Sequence, residues 1–284
     1  MKKRQNNGAP ARALRITLVN FLPFVYAVTC IIPIVWLFIT TFKSMAEFSV
    51  STFALPKSFF NFDNYAYVLN QIHLPRAMFN TARITVIVLV LVLLLAFING
   101  YFIARFRFKG RGLLKGLFAC TLVIPIHAIL VPTYILFSRI GLYNHWYSTI
   151  LPMVCMELTV SIFLVTNYVQ SIPREMEEAA AIDGSSFSST LFRIILPVVK
   201  PVLVTCGIIS FFHCWNEFPF SLILFSKEEY YTLSLSLMRF KGEYTTDYPR
   251  IMTTIFVSII PALLVYIAFS KQIINGMMAG AVKG

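Results

Sequence analysis

The sequence predicts an all-α integral membrane protein: six transmembrane helices, with a short helix at the cytoplasmic surface between the fourth and the fifth. Three observations predict it. Of 284 residues, 58% are hydrophobic and only 13% charged, where a soluble domain carries roughly a quarter charged residues. Six long apolar stretches match the roughly 20 residues that a helix needs to cross the hydrocarbon core. The net charge of +12 sits in short clusters between those stretches, which is how membrane proteins carry topology signals, not how a nucleic-acid surface is built.

Residues 16–42 contain no Asp, Glu, Lys or Arg and form the first span. Lys2, Lys3, Arg4, Arg12 and Arg15 precede it, but the apolar run is too long for a signal-peptide core, so it reads as an uncleaved helix. The remaining spans cover 84–104, 116–138, 147–169 with Glu157, 201–225 with Glu217, and 251–270. The chain then divides into an N-terminal tail (1–15), a six-span membrane domain (16–270) and a C-terminal tail (271–284). Six spans put both termini on one side. Segments 1–15, 105–115, 172–200 and 271–284 share that side and hold 15 of the 24 Lys and Arg residues, so the positive-inside rule makes it cytoplasmic. On the outer side, 44–78 is rich in aromatics, which suit either a headgroup-level belt or a partner contact. The outer segment 227–250 mixes charge signs, as a docking loop or a solvated one does.

Cys30, Cys120, Cys155, Cys206 and Cys214 all lie in apolar stretches without CxxC spacing, as small buried hydrophobes do. The four histidines form no HxxxH pair, which argues against a metal site.

The segment 172–200 is too ordered in pattern for a linker. Pro173 suits a first helical turn. Glu175, Glu177 and Glu178 follow, where negative charge complements the helix dipole. Ala179, Ala180 and Ala181 favour helix, and Asp183-Gly184 supplies a stop with glycine as a left-handed cap. Phe187, Leu191, Ile194 and Ile195 then recur with helical spacing and make one apolar face of a second amphipathic helix. Pro197 and Pro201 mark its end and the turn into the fifth span. A short helix fixed between two spans, with a small alanine face open to close approach, can transmit a push into the membrane.

Glu178-Ala179-Ala180, Gly184, Ile194 and Leu196-Pro197 keep every spacing of the pattern Glu-Ala-Ala, three residues, Gly, nine residues, Ile, one residue, Leu-Pro. This segment resembles the EAA motif of ABC importer permeases. Ile182-Asp183-Gly184, Trp215-Asn216-Glu217 and the ending Gly276 to Gly284 are similar to the carbohydrate, maltose-type branch of that family. The resemblance implies a bacterial cytoplasmic membrane, a second permease subunit forming a heterodimer, two ATP-binding cassette ATPases and an extracytoplasmic solute-binding protein. It also implies that the helix around Glu178–Gly184 is a coupling helix seated in the ATPase, with Asp183 beside the cap. This chain has no GxxxxGK[ST] phosphate loop, so ATP and Mg belong to the partner subunits and no cofactor is expected here.

Glu157 is expensive inside a bilayer and should face the bundle or a wet cavity. It reads as a hydroxyl-binding residue of a sugar pathway, as a pair for the partner permease, or as a group near the outer interface. Asn216 and Glu217, next to Pro219, are candidates for a gate or simply for a bend. No convergent nucleophile–base set stands out for an enzyme, and no internal repeat supports a self-sufficient secondary transporter. A phosphate-bearing substrate such as a glycerol phosphate calls for Arg or Lys in the pathway. None lies in the six spans as drawn, which favours a neutral sugar or oligosaccharide.

Overall fold

The computed structural model describes the backbone of residues 9–240 and 246–281, with side chains over 19–240 and 246–272. Lys2, Lys3 and Arg4 lie outside these, as do the side chains of Arg12 and Arg15 and those of the C-terminal run Gly276 to Gly284. All regular elements among the described residues are helices. Five are long and apolar enough to cross a membrane: α1 (Ala9–Thr40), α4 (Leu74–Arg105), α7 (Ile150–Ser171), α9 (Phe187–Trp215) and α12 (Tyr248–Ala281). Shorter helices lie between them: α2 (Met45–Val50), α3 (Asp63–Asn70), α5 (Arg111–Val123), α6 (Ile126–Arg139), α8 (Glu175–Ile182), α10 (Pro219–Leu224) and α11 (Leu233–Ser236). A sixth span exists only if α5 and α6 count as one. The chain forms two compact units, one holding residues up to Ile72 with Phe240–Val257, the other His73–Arg239 with the chain from Ser258 onward.

The larger unit is built on α4 and α7. Ala96, Gly100 and Ala104 stand at four-residue intervals on α4 and meet Ile162, Val165 and Val169 of α7 in one buried cluster. In a membrane the solvent gives little drive for helices to associate, so small residues that allow close backbone approach carry the packing. Gly100 sets that approach: a Cβ built there falls 2.6 Å from Val165 Cγ1 and 3.2 Å from the Thr166 amide nitrogen.

The first and last helices extend beyond the expected spans, from Ala9 and to Ala281, and the second, third and fifth spans differ most. The second begins ten residues early, at Leu74, because the polar residues that broke the apolar run find partners. Asn80 Nδ2 donates to the carbonyls of Glu229 (2.8 Å) and Tyr231 (3.0 Å). Thr81 Oγ1 accepts from the Leu233 amide, and the Arg83 guanidinium lies 4.0 Å over the Trp146 ring. The first part of the mixed-charge segment 227–250 is thereby tied down on α4. The span expected over 116–138 is instead two helices bent by 106°. Pro125 lacks an N–H and forces the residue before it out of helical geometry, and Ile124 is extended at φ −77°, ψ 116°.

The fifth span shows the reverse. Pro197 and Pro201 do not end a separate helix, since α9 runs through both to Trp215. A widened π turn over Thr190–Ile195 precedes them, where the helix accommodates a proline ring that otherwise presses on the carbonyl four residues back. The helix stops at Trp215, ten residues short of the expected end.

In the smaller unit, Phe42 gathers Phe59, Phe62 and Tyr65 around it. Lys43 is almost fully buried, and its Nζ donates to the carbonyls of Ser51 (3.2 Å) and Thr52 (2.8 Å). Burial lowers its pKa from the ordinary lysine value, an effect that the nearby Glu47 charge partly offsets. The aromatic segment 44–78 thus packs partly on Phe42, with Tyr65 half-buried, while Phe53, Phe59, Phe60 and Phe62 stay exposed.

The Gly100 contact yields a prediction. Overpacking costs about 1–3 kcal/mol, against about 0.5–1 kcal/mol gained from alanine's helix preference. Gly100→Ala should therefore lower the melting temperature of the detergent-purified protein. Gly207→Ala, whose Cβ meets Leu93 at an ordinary 3.5 Å, should leave it unchanged or slightly raised.

Candidate functional site

Helix α8 is only eight residues long, and its two ends are closely specified. Glu175, Glu177 and Glu178 occupy its first turn. At its end the Gly184 amide donates to the Ala181 carbonyl (3.1 Å) and the Ser185 amide to the Ala180 carbonyl (2.9 Å). That pair of bonds is a Schellman cap, which needs a left-handed residue at Gly184, whose φ is +76°. Ser186 then accepts from the Ser189 amide and starts α9.

What holds α8 in place is an acidic side chain that sequence reasoning did not single out. Glu177 Oε1 accepts from Arg105 Nε at 2.6 Å, and its Oε2 accepts from the Tyr101 hydroxyl at 2.8 Å. Arg105 also donates to the Ile172 carbonyl (3.0 Å) from Nη2, and Arg174 reaches the Arg105 carbonyl. The Arg105 side chain is 7% exposed and that of Glu177 19%. The only advance signal was an acidic first turn facing the basic cluster of 105–115. Phe187, at the start of α9, rests on Tyr101, Phe102 and Phe106. The whole segment is thus fastened to the end of α4.

Around this clamp the motif residues divide. Glu178, Ala179, Asp183 and Gly184 are exposed, as is Ile182, while Ala180 is buried. The expected alanine face is therefore split: one alanine packs inward and its neighbour is open to contact. Ile194, Leu196 and Pro197 lie on α9 and not on α8; the first two are half-buried and Pro197 is exposed.

The intramembrane candidates separate as well. Glu157 Oε1 lies 2.9 Å from His213 Nδ1, a pair within this chain that joins α7 to α9. Both line a cleft of about 240 Å³ together with Thr121, Ile124, Ser161 and Ser210. Glu157 stands seven residues into α7, about 10 Å from its start, so it is closer to the middle of that helix than to its end. Glu217 is engaged at the start of the next helix. Its carboxylate caps α10, accepting from the amides of Phe220 and Ser221 and from the Ser221 hydroxyl. Asn216 donates to the Phe212 carbonyl, closing the last turn of α9.

Fold and sequence together define a polytopic membrane component of a transport system. Residues 96–274 match the family model described as "Binding-protein-dependent transport system inner membrane component", and this chain belongs to that family. It is 37% identical over 254 residues to ORF2 of Caldicellulosiruptor sp. (strain Rt8B.4), named as an ABC transporter permease protein, covering 89% of this chain and 92% of the relative. It is 31% identical over 257 residues to the multiple sugar-binding transport system permease protein MsmG of Streptococcus mutans, covering 89% and 92%. The crystal structure of a bacterial ABC transporter that imports the acidic polysaccharide alginate contains a chain of the same fold, with a TM-score of 0.79 and 22% identity over 95% of this chain and 99% of that one.

Removing one partner of a buried ion pair costs about 3–5 kcal/mol, and less where water reaches it. Glu177→Ala should therefore release α8. Hydrogen exchange of a peptide covering 172–186 should quicken, with the α4–α7 core still protected. Arg105→Lys should give an intermediate result, because an ammonium cannot reproduce the guanidinium's two-directional contact.

Proposed function

We propose that this chain is the transmembrane permease of an ATP-driven, binding-protein-dependent importer for a neutral sugar or oligosaccharide, and that α8 is its coupling helix. In this reading α8 faces the cytoplasm, both termini lie on that side, and Ala179, Ile182, Asp183 and Gly184 meet an ATPase subunit. Two such ATPases bind ATP and Mg, a second permease completes the pathway, and a solute-binding protein delivers substrate from outside.

The observation that carries the proposal is the motif and its setting taken together. Seven positions of the EAA pattern fall on a segment whose contact residues are exposed and whose anchoring residues are buried or clamped. A helix meant to receive force needs both properties: a free face for the partner and a stiff attachment behind it. The sugar assignment is supported by the 31% identical multiple sugar-binding transport permease. The glycerol-phosphate alternative is not favoured. Arg83 does fall inside the lengthened α4, but it is engaged with Trp146, Phe79 and Asn80.

The clamp also changes the route of force. A push on α8 passes first to α4 through Arg105, and from α4 to α7 through the Gly100 contact. The second span thus joins the fourth and fifth as a moving part.

Gly184→Pro removes the left-handed cap that α8 needs, and Ala179→Trp blocks its exposed face. Each should abolish sugar uptake in cells, by tenfold or more, with the amount of protein in the membrane preserved. Uptake that persists in both variants at normal protein levels would overturn the coupling role of α8.

A further inference from the structure

The cleft between α5, α7 and α9 is flanked by the two places where this fold breaks its own spans. Ile124, at the 106° bend between α5 and α6, lines it. His213 lies just before the stop at Trp215. Broken helices at membrane depth are tolerated where they line protein or a wet cavity, and transporters bind their substrates at such breaks. The cleft also holds a carboxylate, which marks a functional site by default in a membrane span.

The polar groups there are grouped, not scattered. Glu157 and Ser161 are one turn apart on α7, and Ser210 and His213 one turn apart on α9, so each helix turns one polar stripe toward the other. The Glu157 side chain is 14% exposed, whereas that of His213 is 64% exposed, and the second ring nitrogen of His213 has no hydrogen bond among the described residues. Ser210 is 1% exposed, and its hydroxyl has no partner among the described residues. A buried hydroxyl without a partner is costly and calls for an explanation. Thr121, whose hydroxyl donates to the Phe118 carbonyl, and Cys206 also line the cleft, and the rest of the wall is apolar, including Met156, Val160 and Ile209.

We propose that Glu157 and His213 form the polar end of an intramembrane subsite for one ring of a neutral sugar, an inference that rests on the importer reading above. Few polar groups at one end of an aliphatic wall suit a ring with hydroxyls at its edge and C–H bonds on its face. Glu157 accepts from sugar hydroxyls. His213 supplies its outer ring nitrogen, and Ser210, now covered one turn away, gains a partner when the pair opens. The volume of about 240 Å³ lies below the roughly 300–1,000 Å³ of pockets that enclose larger ligands, which limits the site to a single ring. Its charge selects against anions. No Lys or Arg lines the cleft, so a carboxylate or phosphate on the ligand faces Glu157 with only an imidazole to offset it.

The test uses the whole importer complex in lipid nanodiscs without the solute-binding protein. Radiolabelled glucose, maltose and trehalose serve as neutral probes, with glucuronate and glycerol 3-phosphate as anionic ones. The expected result is saturable binding of a neutral sugar that weakens about tenfold or more in Glu157→Gln, the cost of a hydrogen bond to a charged acceptor. A second measurement avoids any folding defect of that variant. The thiol introduced by Val160→Cys, on the apolar wall of the same cleft, should react with a water-soluble methanethiosulfonate, and the bound sugar should protect it, with the unsubstituted chain labelled in parallel for its native cysteines. Failure of neutral sugars to bind or to protect, or equal binding to Glu157→Gln and the unsubstituted protein, would overturn the subsite. Uptake by cells separates this from the broader reading. Neutral-sugar uptake without binding or protection rejects the subsite alone, whereas uptake of only the anionic probes rejects the neutral-sugar importer as well.

Discussion

A half-buried ion pair between Arg105 and Glu177 decides where the 172–200 segment lies. Helix α8 has eight residues, too few to be stable by itself in water, so its position comes from what it is attached to. Arg105 sits in the last turn of α4, where the helix dipole favours a cation, and Glu177 in the first turn of α8, where it favours an anion. The two helix ends therefore stabilise the pair before any direct contact is counted. Tyr101 and the Ile172 carbonyl then complete the hydrogen bonding of both side chains. A charge pair satisfied this fully defines one geometry, since any shift of α8 leaves a charged group without a partner.

This attachment links the exposed motif to the close α4–α7 contact. The α4–α7 contact at Gly100 leaves no room for a methyl group, and packed interiors transmit displacement rather than absorb it. In the proposed coupling role, load on Ala179 or Ile182 would travel along α4 into α7. It would reach α9 both through Phe187, which rests on the α4 aromatics, and through the chain itself. The uninterrupted run of α9 through Pro197 and Pro201 makes that second route stiff.

The parts of this arrangement that were legible in the sequence are those governed by local rules. The glutamate-rich start of α8, its alanines and its glycine stop follow from dipole, propensity and backbone conformation, and all appear where expected. Most of the spans follow from apolar length alone. Features decided by distant partners were not legible. Three glutamates, Glu175, Glu177 and Glu178, look alike in sequence, and only the position of Arg105 singles out the middle one. The start of α4 was hidden because Asn80, Thr81 and Arg83 read as polar interruptions until their partners are known. The prolines misled in both directions. Pro125 breaks a helix that composition joined, while Pro197 and Pro201 sit inside one that composition ended. The π turn before Pro197 relieves the ring, and nothing comparable stands before Pro125.

The intramembrane polar residues sort by what satisfies them. Glu217 is held by two backbone amides and a hydroxyl one turn away. Those donors belong to the start of a helix and cannot leave without unwinding it, so the carboxylate is used up as a cap. Asn216 is likewise held by the backbone. Glu157 differs because its partner is a side chain, and an exposed one: His213 can rotate away without breaking a single backbone hydrogen bond. A buried carboxylate with an exchangeable partner keeps its capacity to accept from something else, provided that the replacement donates equally well. A sugar hydroxyl does, and an acyl chain of the surrounding lipid does not. Of the three acidic or amide groups that the sequence put forward, the structure therefore leaves one with chemistry to spare, and that one lines a cleft.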